Sequence, residues 1–158
     1  MIFVTVGLMF GFENLIKEMD NIAGVIEEKV VMQIGNTSYE PKYAEYFRFA
    51  SKKEIDVLYY NARVVVCHAG VGSILTALEH DKPVIAVPRR KKYGESVDDH
   101  QLEIAKELER EEKITVIYDV RELERALLNV SDSFGAKIEP GIRLAKALRE
   151  YLIDLNKN

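Results

Sequence analysis

The sequence predicts a parallel, doubly wound α/β sheet built as one domain, and three observations predict it. Short β-rich apolar runs alternate with amphipathic helical stretches, and parallel neighbours need crossovers that such helices supply. One run, Val64 to Cys67, is apolar at every position, the pattern of a strand buried on both faces. The chain has 158 residues, 47% hydrophobic and 30% charged, enough for one globular domain with a substantial core. No repeat, low-complexity segment or linker divides it, so residues 1–158 are read as a single domain.

The elements follow in order. Ile2 to Val6 is β-rich and ends at Gly7; MIFVTVGLMF lacks the basic leader and small-residue cleavage site of a signal peptide, so a first strand is expected there. Phe12, Leu15, Ile16, Met19 and Ile22 then share one helical stripe that stops near Gly24. Val30 to Ile34 is a second strand and Tyr46 to Phe49 a third. Ser51 caps a helix from Lys52 to Asn61, with Glu54 placed to complete a capping box. After the strand at Val64 to Cys67 come a helix from about Gly72 to His80 and a strand from Pro83 to Val87. A long polar loop leads to a helix from about Asp98 to Glu111 and a strand at Ile114 to Ile117. Asp119 caps a helix over Val120 to Leu128, and the tail from about 138 to 155 is helical in pattern.

Composition narrows the function. A net charge of −4 argues against a nucleic-acid partner, although Arg89, Arg90, Lys91 and Lys92 form one basic patch. The single cysteine, Cys67, excludes an internal disulfide, fits a reducing compartment, and reads as a packing residue inside its strand. No apolar run approaches the ~20 residues that span a bilayer, so the chain is expected to be soluble, with any membrane attachment peripheral or through a partner. His68, His80 and His100 lack metal-ligand spacing, so no zinc site is expected; a divalent ion held through phosphates is left open.

Ligands of such sheets bind beyond the carboxyl ends of the strands, which puts the loops after Val6, Ile34, Cys67 and Val87 on one rim. On that rim lies His68-Ala69-Gly70-Val71-Gly72-Ser73, a strand-to-helix turn. Its glycines admit a ligand close to the backbone, and the helix beyond offers unpaired N–H groups to an anion such as a diphosphate. Many α/β proteins use glycine there simply to turn, and the spacing matches neither a dinucleotide fingerprint nor a P-loop. The sequence leaves His68 two roles: a proton-transfer or phosphate-contacting imidazole, or a brace for the turn. Glu79 could accept both hydroxyls of a ribose or simply be solvated, and spacing alone favours the second. Asp98, Asp99, His100 and Gln101 open a helix, where Gln101 suits a sugar hydroxyl and the aspartates suit capping. Lys91, Lys92, Tyr93 and Gly94 make a basic loop fit to close over an anion, or solvated as such loops usually are.

Together IFVTVG, VMQIGNTSYEP, FASKKEIDVLYYNARVVVCHAGVGSI, LEHDKPVIAVPR and DDHQLEIAKELE resemble the C-terminal, donor-binding domain of glycosyltransferase family 28. The resemblance is strongest to short stand-alone forms: the UDP-GlcNAc-binding subunit of the dolichol-linked chitobiose-forming transferase, and bacterial exopolysaccharide glycosyltransferase subunits. It implies a Rossmann-like sheet forming the C-terminal half of a GT-B enzyme. It further implies that Gly70, Gly72 and Ser73 face a UDP diphosphate, that Glu79 holds the ribose, and that uracil lies against backbone near Arg89. Gln101, with Asp99 and His100, would meet the donor sugar.

The implied activity is inverting transfer of GlcNAc or another hexose from a UDP-sugar, with no tightly bound cofactor and no required metal. A membrane-associated acceptor-binding subunit would present a lipid-linked sugar, making the chain cytoplasmic and peripheral through its partner, with a homodimer open in that partner's absence. Leu8, Met9 and Phe10 depart from the Thr and polar residues common after the first Val-Gly, and are expected to form an exposed apolar patch where the missing half docks. That departure also leaves a second reading: a nucleotide-sugar-binding regulator or scaffold without transfer.

Overall fold

The structure, a computed structural model, describes residues 1–96, 100–110 and 114–130, with His100 described by its backbone alone. Among these residues the strands are β1 (Ile2–Thr5), β2 (Val30–Gln33), β3 (Glu45–Phe47), β4 (Val64–Cys67), β5 (Val84–Ala86) and β6 (Thr115–Val116). They pair in parallel in the order β3-β2-β1-β4-β5-β6, the doubly wound sheet expected from the alternation. The helices are α1 (Glu13–Ala23), α2 (Lys52–Asn61), α3 (Val71–Glu79), α4 (His100–Arg110) and α5 (Leu123–Asn129). The expected tail helix at about 138–155 lies outside the described residues.

Because helices cover both faces, the central strands β1, β2, β4 and β5 are buried at every position and mostly apolar. From β1, Ile2 and Val4 join the α1 stripe of Leu15, Ile16 and Met19 and the α5 residues Leu123 and Leu127. Phe3, pointing the other way, packs with Tyr59 of α2, Ile74 and Leu78 of α3 and Ala105 and Leu108 of α4. Cys67 belongs to this second layer, fully buried, and burial pushes its thiol up to about 12, so it packs and does not react.

Local chemistry sets the element ends. Ser51 and Glu54 form the full capping box at the start of α2. Asp119 accepts from the Arg121 N–H at 3.0 Å and starts a single 3-10 turn, Val120–Glu122, that runs into α5. The third strand begins one residue earlier than its aromatic pattern suggests and ends at Phe47, because it is an edge paired with β2 alone. Beyond it Arg48 turns back, its guanidinium donating to the Gly35 and Thr37 carbonyls. The buried carboxylate of Asp20 in α1 holds the chain between β2 and β3, accepting from the Tyr39 hydroxyl and from the Lys42, Tyr43 and Ala44 N–H groups at 2.8–3.1 Å. Burial raises the pKa of Asp20, but these four hydrogen bonds together outweigh it and hold the group below its ordinary 3.8.

Candidate functional site

Register fixes the floor of the site. Thr5 pairs with Gln33 on one side and Cys67 on the other, so the carboxyl ends of β1, β2 and β4 lie in one row. Above that row, where strand order reverses about β1 and β4, opens a cleft of about 560 Å³. The row supplies two polar residues: the Thr5 hydroxyl donates to Gln33 Oε1 at 2.7 Å, and both side chains are nearly buried at the cleft floor.

The glycine turn forms one wall. Ala69, at φ +60°, swings the chain out of β4, and α3 begins two residues later. Gly70, Gly72 and Ser73 all line the cleft, as expected. The two glycines serve different ends, which spacing alone does not reveal. A Cβ on Gly70 would sit 2.1 Å from His68 Nε2, so Gly70 makes room for the imidazole. A Cβ on Gly72 would meet nothing within 4 Å, so Gly72 leaves the approach to the first turn of α3 open. Tyr59, buried in α2, ties that turn down with its hydroxyl 3.4 Å from the Ser73 carbonyl.

His68 resolves toward the brace. Its ring is buried between Gly7 and Gly70, with Nδ1 3.4 Å from the Thr5 carbonyl. Burial, then the nearby Arg89 charge, lower its pKa to about 4, so the ring is neutral at pH 7 and carries no positive charge toward a ligand. It still lines the cleft as a neutral polar group.

Two expectations are corrected. Glu79 is exposed at the last position of α3 and does not line the cleft. Its angular position is right, but seven residues carry it about 10 Å along the axis from Gly72. Thr76, one turn from Gly72, lines the cleft in its place, donating to the Gly72 carbonyl at 2.9 Å. Arg89 is the second correction. Its side chain is 2% exposed and does not belong to the surface basic patch. Nη2 donates to the carbonyls of Val6 at 2.6 Å and Phe10 at 2.5 Å, the guanidinium lies over the Phe12 ring, and Nε has no partner among the described residues. Arg89 is therefore the strut of the first loop as well as a buried cation lining the cleft; burial lowers its pKa to about 10, so it stays charged.

The basic loop that follows is organised, with Lys91–Tyr93 forming a 3-10 turn ended by Gly94 at φ +70°. Glu95 pins it, accepting from the Arg90 N–H at 3.1 Å and from Asn14 at 3.0 Å. Gln101, near the start of α4, lines the cleft, and its Oε1 is buried with no partner among the described residues, an acceptor waiting for a donor. Asp98 and Asp99 lie outside the described residues, and the His100 side chain is not described.

Leu8, Met9 and Phe10 are exposed, as expected, at 67%, 77% and 41%. Their backbone is nevertheless held: Asn36 donates to the Leu8 and Met9 carbonyls, and Arg89 to that of Phe10. The apolar side chains thus stand on a fixed loop that also lines the cleft mouth. Sequence reasoning missed Thr5, Gln33, Lys52 and Thr76 as cleft residues. The available signal was a polar residue ending an apolar strand, as in Thr5 and Gln33. Among the described residues no cluster of three His, Cys, Asp or Glu could hold a metal ion, and no helix is long and apolar enough to cross a membrane.

Residues 1–134 match the model of the glycosyltransferase family 28 C-terminal domain. The chain is 30% identical over 123 residues to the UDP-N-acetylglucosamine transferase subunit ALG13 of Homo sapiens, a match covering 70% of this chain and 10% of that protein. It therefore spans about a tenth of that relative's length. Among solved structures, the kitacinnamycin glycosyltransferase superposes with a TM-score of 0.66 at 16% identity, over 94% of this chain and 39% of the other. The solution structure of ALG13 gives 0.57 at 18% identity, over 89% and 88%. These superpositions concern the fold.

Proposed function

From the premise that the chain belongs to the glycosyltransferase family 28 C-terminal domain family, we propose that it is the donor-binding subunit of a two-component inverting glycosyltransferase. It holds a UDP-sugar for transfer of GlcNAc or another hexose to a lipid-linked acceptor carried by a membrane-associated partner subunit. One observation carries this reading: the open first turn of α3, at Gly72 and Ser73, faces a 560 Å³ cleft at the reversal point of the sheet. The free N–H groups and positive dipole end of that helix neutralise the diphosphate, in the ground state and as it leaves.

Further parts follow from the same placement. The Arg89 charge, buried without a carboxylate partner among the described residues, adds positive potential at the cleft. Gln101 offers its orphaned carbonyl to a sugar hydroxyl, with Asp99 and His100 beside it in sequence. In the transfer an acceptor hydroxyl attacks the anomeric carbon, the bond to UDP breaks, and a base takes the hydroxyl proton. Burial makes the His68 imidazole a weak base, and no carboxylate lines the cleft among the described residues, so this reading looks to the partner subunit for the base. The exposed Leu8, Met9 and Phe10 fit docking of that half.

Isothermal titration with UDP, UDP-GlcNAc, ADP and GDP tests the donor reading: uridine nucleotides bind preferentially, and failure of every uridine nucleotide to bind overturns it. The exposed apolar Leu8, Met9 and Phe10 on the first loop also support a second reading, a nucleotide-sugar-binding regulator or scaffold without transfer. Release of labelled sugar onto lipid by the co-purified pair separates the two.

A further inference from the structure

We infer that the cleft holds the pentose of its nucleotide without a carboxylate and therefore accepts ribo- and 2′-deoxyribonucleoside diphosphates with similar affinity. The inference rests on the nucleotide-diphosphate reading of the cleft and adds its sugar specificity. A diphosphate on the first turn of α3 places the attached pentose along the helix, toward the residue one turn on. That residue is Thr76, which lines the cleft.

A carboxylate at this place accepts hydrogen bonds from both pentose hydroxyls, which is how acidic residues select ribose in dinucleotide sites. Thr76 cannot substitute. Its hydroxyl proton is donated to the Gly72 carbonyl at 2.9 Å, leaving one neutral oxygen to accept. Glu79, the acidic residue of α3, stands almost another turn further, exposed and outside the cleft. Among the described residues lining the cleft there is no Asp or Glu; the polar groups are hydroxyls, amides, one imidazole and two cations, Lys52 and Arg89. Such a set grips phosphates strongly and reads a 2′-hydroxyl weakly. A hydrogen bond to an ionised group discriminates by roughly tenfold or more, a neutral and partly committed one by only about a fewfold.

Titration of the full chain with UDP and with 2′-deoxy-UDP tests this, alongside Thr76→Glu, whose fold is checked by circular dichroism. The expected wild-type dissociation constants agree within about fivefold. Thr76→Glu introduces a preference for UDP of about tenfold or more. Wild-type preference for UDP beyond about fivefold overturns the inference while leaving the nucleotide reading intact. A folded Thr76→Glu that gains no preference shows that the pentose lies elsewhere and overturns it as well. If neither nucleotide binds the wild type, the nucleotide reading itself fails.

Discussion

The two glycines of the α3 turn make opposite predictions from one substitution. Gly70 has φ −70° and ψ 131°, a conformation alanine adopts freely, so Gly70→Ala brings no backbone strain. The methyl would, however, lie 2.1 Å from His68 Nε2 and 2.6 Å from Cε1. The imidazole has no retreat, because a side chain's space at Gly7 is already filled by the same ring, 2.8 Å from where a Cβ would be. Overpacking of this kind costs about 1–3 kcal/mol. At Gly72, the second residue of α3, an added Cβ meets nothing within 4 Å, and alanine in a helix gains roughly 0.5–1 kcal/mol over glycine. The added methyl also narrows the approach to the helix end. Urea unfolding should therefore move the Gly70→Ala midpoint down and the Gly72→Ala midpoint up, at unchanged slope. UDP titration should show weaker binding by the more stable variant. Gly70→Ala as stable as wild type with an unmoved His68 resonance, or Gly72→Ala binding UDP normally, would refute the division of labour.

Three further outcomes are expected. Asp20→Asn removes a buried charged acceptor from four partly buried hydrogen bonds and should cost roughly 3 kcal/mol in urea unfolding. The stability contributed by this carboxylate, whose folded pKa lies below 3.8, is present above that pH and lost as pH falls through the folded value. His68, with a pKa lowered from 6.5 to about 4, makes no pH-dependent contribution above pH 6.5. Below it the unfolded chain takes the proton first, so stability falls between pH 6.5 and 4 by about 3 kcal/mol in all, a slope that His68→Gln should flatten. Arg89→Met leaves the Val6 and Phe10 carbonyls without their donor and should cost about 2 kcal/mol, freeing the first loop and weakening UDP binding in calorimetry.

The succession of strands and helices was legible because apolar runs and helical stripes report burial on each face, and Ser51 with Glu54 reports a helix start through local chemistry; the order of strands across the sheet came only from the structure. The rim was legible for the same reason: parallel strands put their carboxyl ends together, which brings Gly70, Gly72, Ser73, His68 and Gln101 to one cleft. Glu79 was given to the ribose by the resemblance, whereas spacing alone favoured a solvated side chain, and its exposed place at the end of α3 agrees with the spacing. Arg89 misled because a run of four basic residues looks solvated, yet β5 ends three residues earlier, and Arg89 turns inward to bond β1's loop while Arg90 and Lys91 face outward. That contact spans 83 positions, and nothing in the local sequence marks it.

The measurement that bears most directly on the central claim is an amide-resolved NMR titration of the ¹⁵N-labelled chain with UDP. The diphosphate reading predicts the largest shifts at Val71, Gly72 and Ser73, with smaller ones at Gly7 and Gln101 across the cleft. Saturable shifts confined to another surface, or none at millimolar UDP, would contradict it.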